Sequence, residues 1–157
     1  MTFRALLLIC ATVLFVSCNK ADIYSKLDKD FPDNRWTQAD GKTYDFTISD
    51  DTKSYDLTFR FSHVYDYQFP HVPLEFTITD PSGKQEKLTI DLKIKDDTGK
   101  ELGECLGDIC DLNFKIKENV KLAKGNHKVK IAVSNSFTYP YLPNVLGIGL
   151  NVATAKQ

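Results

Sequence analysis

The sequence predicts an all-β protein: an antiparallel two-sheet β-sandwich preceded by an N-terminal lipoprotein signal and a tether. Three observations lead to this. Apolar and polar residues alternate in seven or eight short runs between about residues 43 and 153. Turn-forming residues separate the runs, and no stretch has the 3.6-residue apolar spacing of an amphipathic helix. Short strands joined by turns in this way form sandwiches, of which the jelly roll is one arrangement.

The chain begins with a signal for export. Arg4 is followed by residues 5–16, which are apolar or small apart from Thr12, and then by Ser17-Cys18. A run this short cannot span a membrane, which takes ~20 residues, but it suits the apolar core of a signal peptide. A cysteine directly after the cleavage site resembles the bacterial lipoprotein pattern, with Phe15 standing where most lipoproteins carry Leu. We therefore predict that residues 1–17 are removed and that Cys18 carries the lipid; an ordinary secretory signal is the alternative.

A polar segment follows the anchor. Residues 19–34 alternate Lys and Asp with few apolar residues, which is typical of a tether with a short helical or irregular piece around residues 23–31. Trp36, the single tryptophan, is expected to anchor the chain in the core where the tether joins it. The predicted domains are thus the signal at 1–17, the tether at 18–42 and the sandwich at 43–157.

The strands are predicted in order from residue 43. The alternating runs cover residues 44–48, 55–61, 74–78, 88–94, 112–122, 129–133 and 146–152. Asp50-Asp51, Asp80–Gly83, Asp96–Gly99 and Lys124–Asn126 supply the turns between several of them. Alternation places one side of each strand in the core. The predicted core residues are Phe46, Leu57, Phe59, Phe76, Leu92, Phe114, Ile131 and Leu150.

The overall charge excludes one class of function. The chain has 20 Lys and Arg against 21 Asp and Glu, and removal of Arg4 with the signal makes the balance one unit more negative. Nucleic-acid binding needs a concentrated basic surface, so no nucleic-acid partner is expected. No second apolar segment is long enough to cross a bilayer, so contact with the membrane should come through the lipid on Cys18.

The remaining cysteines predict a disulfide. Cys10 leaves with the signal and Cys18 is acylated, which leaves Cys105 and Cys110 as the free pair. In an exported protein two nearby thiols usually oxidise, and these could close over a turn at Gly107-Asp108. Zinc would need two further ligands, and a redox-active pair would normally be spaced C-x-x-C.

The sequence contains little catalytic material. His63, His71 and His127 lie far apart, with no metal-ligand spacing, and no serine lies in a nucleophile elbow. His127 is interpreted as a solvated strand-edge residue. A metal shared by His63 and His71 is the weaker alternative, so we predict no metal, no cofactor and no enzymatic activity.

Two segments rich in aromatic residues and proline are the candidate binding regions. Residues 65–73 and 137–143 lie between predicted strands, and their prolines confine them to loops or edges. Exposed aromatic residues on loops bind sugars or protein partners; the alternative is that they plug one end of the sandwich. The candidate contact residues are Tyr65, Tyr67, Phe69, Tyr139 and Tyr141.

Together these residues resemble the gliding-motility lipoprotein family GldH of Bacteroidota. The resemblance runs from Cys18 and the Trp36 region to the C-terminal strand. Asn144 departs from the pattern, since the family commonly has Gly there, and so do Cys105 and Cys110. The most specific segments are Gly99-Lys-Glu-Leu-Gly103, Gly107-Asp-Ile109, Lys117-Glu-Asn-Val-Lys121, Leu142-Pro-Asn-Val145 and Gly147-Ile-Gly149.

The resemblance implies a lipid-anchored envelope protein of the outer membrane that serves the gliding apparatus or the associated type IX secretion system through protein partners. It implies no catalytic residue, cofactor or metal. A lipid-anchored carbohydrate-binding module is the competing hypothesis, and a hydrolase is third. Coplanar exposed rings would favour sugar binding, whereas a surface of mixed polarity would favour a protein partner.

Overall fold

A computed structural model describes residues 22–156, and in this part of the chain two antiparallel sheets pack face to face, as the alternation predicts. A short 3-10 turn, Pro32–Asn34, lies between the first two strands. The strands are β1 (Asp22–Asp28), β2 (Trp36–Thr37), β3 (Lys42–Ile48), β4 (Ser54–Val64), β5 (His71–Thr79), β6 (Gln85–Lys93), β7 (Glu104–Leu106), β8 (Ile109–Lys121), β9 (Gly125–Val133), β10 (Tyr141–Leu142) and β11 (Val145–Thr154).

The strands form one sheet of five, one of four and a short ribbon. The five-stranded sheet has the order β1-β11-β4-β8-β7, the four-stranded sheet has the order β3-β9-β5-β6, and β10 pairs with β2. Phe59 of β4 meets Phe76 of β5 edge-on across the interior, with ring centroids 5.4 Å apart. The Tyr44 hydroxyl of β3 donates a hydrogen bond to the Ile148 carbonyl oxygen of β11 at 3.0 Å, which also joins the two sheets.

The core matches the predicted one closely. Of the eight predicted core residues, seven are buried. The eighth, Phe114, is only partly buried and packs against the core from β8, because the short β7 pairs with β8 no further than Asp111 and leaves the rest of that strand at the sheet edge. Trp36 is fully buried and its Nε1–H donates to the Asp40 carbonyl oxygen at 2.7 Å, which confirms its expected anchoring role.

The sheet begins earlier than the alternation indicates. Residues 22–28, expected in the tether, form β1 and pair with β11 from Asp22↔Ala153 to Asp28↔Ile148. The prediction missed β1 because its inward positions hold Tyr24 and Lys26 instead of aliphatic residues. The Tyr24 ring lies 5.8 Å from that of Phe46, and the Lys26 ammonium lies 5.5 Å from the centroid of the Tyr44 ring. Such amphipathic side chains cover the margin of a core while keeping their polar tips in water.

His127 was interpreted as a solvated edge residue, and this is wrong. It is buried on β9, which lies between β3 and β5 and is therefore a central strand. Its ring stacks on Phe46 at 5.5 Å, and Nε2 lies 2.8 Å from the Ala123 carbonyl oxygen. The inward alternation of β9 thus starts at residue 127, two residues before Val129, where the apolar residues begin.

The strands define two ends of the sandwich. The anchor end holds the start of β1, and Cys18 precedes Asp22 by four residues, at most about 14 Å of extended chain. The distal end holds the start of β11 and loops 65–70, 94–103 and 134–144. Since β11 has 10 residues, the two ends lie roughly 30 Å apart. The signal and Cys18 themselves lie outside the described residues, so the anchor stays a prediction.

Candidate binding surface at the distal end

The two aromatic segments meet at the distal end. Phe69 from the first contacts Phe137 and Tyr139 from the second, with ring centroids 5.2 Å and 5.3 Å apart. They meet because β5 and β9 are neighbours, paired at Leu74↔Val133. The loop before β5 therefore lies beside the loop after β9.

The aromatic residues divide into exposed and buried ones. Tyr65 and Tyr139 are 57% and 56% exposed, whereas Phe69 and Tyr141 are half-buried. Tyr67 is 1% exposed, so its prediction as a contact residue is wrong. The cluster thus combines buried rings that close this end of the sandwich with exposed rings that remain candidates for binding.

Tyr67 is a core residue of the distal end. Its ring centroid lies 5.6 Å from that of Phe61 and 4.9 Å from that of His63. Burial raises the pKa of its hydroxyl well above the ordinary value. The burial of Tyr67 was not predictable from sequence, because Tyr65 and Tyr67 are both followed by polar residues and loop residues have no fixed alternation.

The rings of the cluster are inclined to one another. The planes of Phe69 and Tyr139 make an angle of 56°, and those of Phe137 and Tyr139 make an angle of 48°. The Arg35 guanidinium lies over the Tyr141 ring, 4.8 Å from its centroid. These residues therefore do not form a flat stacking platform.

A buried carboxylate holds the first aromatic loop in place. Glu101 Oε1 accepts a hydrogen bond from the Tyr67 backbone N–H at 3.0 Å. Lys95 Nζ lies 3.9 Å from Glu101 Oε1 and 2.6 Å from Asp66 Oδ1, so it links loop 94–103 to loop 65–70. Glu101 lies within the family-like segment Gly99–Gly103. Its contacts with the Tyr67 N–H and with Lys95 explain why this segment has an acidic residue.

His63 lies next to this carboxylate. Its Nδ1 lies 2.9 Å from the Val64 carbonyl oxygen; because a carbonyl oxygen only accepts, Nδ1 is the donor. Its Nε2 faces Glu101 Oε2 at 4.0 Å, and both atoms are buried without a hydrogen-bond partner in the described part of the chain. The Tyr67 hydroxyl is likewise buried without a hydrogen-bond partner among these residues. Sequence reasoning did not identify Glu101, and it assigned His63 only to a weak metal hypothesis.

The two histidines of that hypothesis differ in their surroundings. His63 is buried, whereas His71 is exposed on β5 with Nδ1 3.1 Å from Asp91 Oδ2. Within residues 22–156, no three His, Cys, Asp or Glu side chains are arranged to hold a metal ion. Over the same residues, the structure contains no helix with the length and apolar character needed to cross a membrane.

A disulfide hairpin stands beside the aromatic cluster. Cys105 and Cys110 are bonded, with their Cα atoms 4.0 Å apart, and Gly107 in the turn between them has φ +61°. The Tyr65 backbone N–H donates to the Asp108 carbonyl oxygen at 2.9 Å. The hairpin therefore supports the loop that contains the exposed Tyr65.

Two family-like segments are explained by backbone geometry. A Cβ on Gly149 would lie 2.5 Å from the Lys26 carbonyl oxygen of β1, so this position requires glycine for the close approach of the two strands. Asn144 has φ +56°, a conformation that glycine adopts freely and asparagine more readily than other residues. The departure from the family pattern at this position is therefore conformationally mild.

The fold is that of an antiparallel β-sandwich protein. Comparison with known protein families assigns the chain to a narrower class. The model of the GldH lipoprotein family matches residues 23–152. The chain belongs to this family, as its resemblance predicts.

Two curated relatives have the same assignment. A gliding motility lipoprotein GldH of Flavobacterium johnsoniae is 28% identical over 144 residues, covering 90% of this chain and 89% of its own. A GldH homolog of Christiangramia forsetii is 28% identical over 130 residues, covering 82% and 78%. Among solved structures, a family 35 carbohydrate binding module from Clostridium thermocellum matches 74% of this chain and 95% of its own, with a TM-score of 0.35 and 11% identity.

Proposed function

We propose that this gliding-motility lipoprotein is a non-enzymatic component of the motility apparatus and the associated type IX secretion system, anchored to the outer membrane through Cys18. It acts by binding a protein partner with its distal end. The observation that carries the proposal is the exposure of Tyr65 and Tyr139 at the end opposite the anchor.

The position of the anchor supports a distal binding surface. With only three residues between Cys18 and Asp22, the anchor end stays close to the lipid. The distal end then points away from that membrane surface, where a partner can reach it. Large aromatic side chains dominate the energetics of protein interfaces, which suits Tyr65 and Tyr139 to this role.

The shape of the aromatic cluster favours a protein over a sugar. Its rings are inclined by 48° to 78°, whereas stacking on a sugar chain uses coplanar faces. Polar groups border the rings, including the Asn144 side-chain amide, which donates to Gln68 Oε1 at 3.2 Å. Mixed polarity around aromatic anchors is typical of protein interfaces.

The polar groups at this end also have structural tasks. Glu101 holds loop 65–70, and the Asp111 carboxylate accepts two hydrogen bonds from Arg60 at 2.7 Å and 3.0 Å. Partial burial works against ionisation of Asp111, but the hydrogen bonds from Arg60 and Ser62 outweigh it and lower its pKa. Because these carboxylates already hold parts of the fold together, they are suited to a structural role in an assembly.

The test is complementation of a gliding strain that lacks its own gene for this protein. The full-length chain carrying Tyr65→Ala and Tyr139→Ala should fold, remain attached to the membrane and lose motility. Co-isolation of the motility proteins should fall roughly thirtyfold, as expected for two interface residues that contribute about 1 kcal/mol each. The matched control is Ile23→Ala, an exposed apolar residue at the anchor end, which should behave as the unchanged protein.

Two results would contradict the proposal. Full motility of the double tyrosine variant would show that motility does not depend on the distal surface. If the same variant in addition lost binding of the purified protein to cell-surface polysaccharide, the carbohydrate-binding alternative would replace it.

A further inference from the structure

A groove lined by four apolar and four polar residues crosses the outer face of the five-stranded sheet near the distal end. Leu27 of β1, Leu146 of β11, Ile109 of β8 and Leu106 of β7 line this groove of about 430 Å³. Leu106 and Ile109 face each other across the hairpin and are 90% and 51% exposed. Isolated exposed apolar residues are common on proteins, but a continuous set marks an interaction surface.

The groove is built differently at its two sides. On the β1 and β11 side, Leu27 and Leu146 are half-buried and form a shallow depression. On the opposite side, Leu106 projects almost fully into solvent from the disulfide hairpin. The depression on the β1 and β11 side can thus receive a projecting side chain such as Leu106.

The two sides of the groove also differ in charge. Lys29 lines the groove on the β1 side. Glu104 lies on the outer face at the β7 side, because it pairs with Asp111, another groove residue. Within residues 22–156, neither Lys29 nor Glu104 has an ion-pair partner, whereas Arg60 and Asp111 at the centre pair with each other at 2.7 Å.

A two-fold axis parallel to the strands makes this face complementary to itself. Such a rotation places the β1 side of one copy against the β7 side of the other. Leu106 of each copy then packs on Leu146 of its mate, and Lys29 lies opposite Glu104. Both copies keep the same end toward the membrane, as two anchors in one leaflet require. Contacts of this isologous kind are the usual basis of homodimers.

We propose that two copies of this chain, attached to the same membrane surface, associate through the outer face of the five-stranded sheet. The face is small compared with a typical interface of about 800 Å² per partner. Attachment to one membrane surface raises the effective concentration of each copy for the other, so a modest contact suffices. The association is independent of the proposed protein partner, because the exposed tyrosines lie on the distal loops and not in the groove.

The first experiment maps the contact in the unchanged protein. Mature acylated chains, half of them labelled with ¹⁵N, are reconstituted together in phosphatidylethanolamine and phosphatidylglycerol vesicles. They are then treated with a carbodiimide, which joins amines to carboxylates in contact. We expect linked peptides containing Lys29 and Glu104 in mixed-isotope form. Absence of mixed-isotope linkage at these residues would overturn the proposal.

The second experiment measures association without cross-linking, by energy transfer between copies carrying donor or acceptor dyes at the C terminus. Leu106→Asp should weaken association about tenfold, as the loss of a central apolar contact does. The matched control Ile23→Asp changes another exposed apolar residue, outside the groove, and should have no effect. Equal behaviour of the two variants would contradict the assigned surface.

A charge exchange completes the test and leaves the fold unaltered. Lys29→Glu and Glu104→Lys should each weaken association about threefold, within the range of exposed ion pairs. The two changes combined in one chain should restore it, because the opposite charges again face each other across the axis. Failure of the combined variant to recover would refute the two-fold arrangement.

Discussion

The anchor end and the distal end contain nearly the same turn. Residues 80–84 read Asp-Pro-Ser-Gly-Lys and residues 96–100 read Asp-Asp-Thr-Gly-Lys. In both, the aspartate Oδ1 accepts hydrogen bonds from the backbone N–H and the hydroxyl two residues later and from the lysine N–H four residues later. The glycines have φ +87° and +84°. The turns therefore close the chain by the same physical means at the two ends.

The residue after each turn separates the two ends. Gln85 begins β6 directly, whereas Glu101 enters the interior and holds Tyr67 of the neighbouring loop. Around the distal turn lie loops 65–70 and 134–144 with their aromatic cluster. Turn chemistry thus only redirects the chain, and the candidate surface depends on buried groups beneath the distal loops.

The largest expected effect comes from the buried member of the aromatic cluster. Tyr67→Ala should lower the free energy of unfolding by about 3–5 kcal/mol, because it leaves a cavity beneath Phe61 and Phe69. Urea denaturation monitored by circular dichroism measures it. Tyr65→Ala, two residues away but exposed, should change the same quantity by less than about 0.5 kcal/mol.

Tyr67→Phe is the control for the ring itself. The Tyr67 hydroxyl is buried without a partner among the described residues, so its removal should be neutral or stabilising. A strong loss of stability in the phenylalanine variant would show that the hydroxyl has an essential hydrogen bond. A mild effect of Tyr67→Ala would remove the distinction between the buried and exposed parts of the cluster.

The second prediction concerns the disulfide, which occurs at the distal end alone among the described residues. Replacing both Cys105 and Cys110 by serine should cost about 2 kcal/mol, the loop-closure value for so short a loop. The Tyr65 amide, which donates to Asp108 in the hairpin, should exchange its hydrogen faster. The Gly83 amide in the anchor-end turn, which donates to the Asp80 carbonyl oxygen, serves as the internal control and should be unchanged. Equal acceleration of both amides would mean that the hairpin is not a local element.

The strands were predictable from sequence wherever one face is filled by aliphatic or aromatic residues. β3 to β6, β8, β9 and β11 follow this rule. β1 does not, because Tyr24 and Lys26 cover the core margin with mixed side chains. The short strands β2, β7 and β10 have too few residues for a period of two to be visible.

The candidate site was only partly predictable. The aromatic segments were identified by composition, but which rings are exposed depends on how loops pack, and loops have no periodicity to indicate it. Tyr67 and Glu101 belong together only because loops 65–70 and 94–103 meet at the distal end. The groove formed by Leu27, Leu146, Ile109 and Leu106 was not predictable either, because its residues come from four strands and a bulge at Leu146.

The smallest expected effect tests the equivalence of the two turns. Hydrogen bonds, from the Ser82 hydroxyl to Asp80 and from the Thr98 hydroxyl to Asp96, lower the pKa of both carboxyls below the ordinary 3.8. A lowered folded-state pKa stabilises the fold above the unfolded value, and this contribution disappears as the pH falls through the folded value. Asp80→Asn and Asp96→Asn should therefore each reduce stability slightly and to a similar extent at pH 7. The difference from the unchanged protein should shrink toward zero below about pH 3.8, measured by thermal unfolding between pH 2.5 and pH 7. A clearly larger loss for Asp96→Asn would mean that the distal turn also supports Glu101, and a loss that persists at low pH would mean that the charge of the aspartates is not what stabilises the turns.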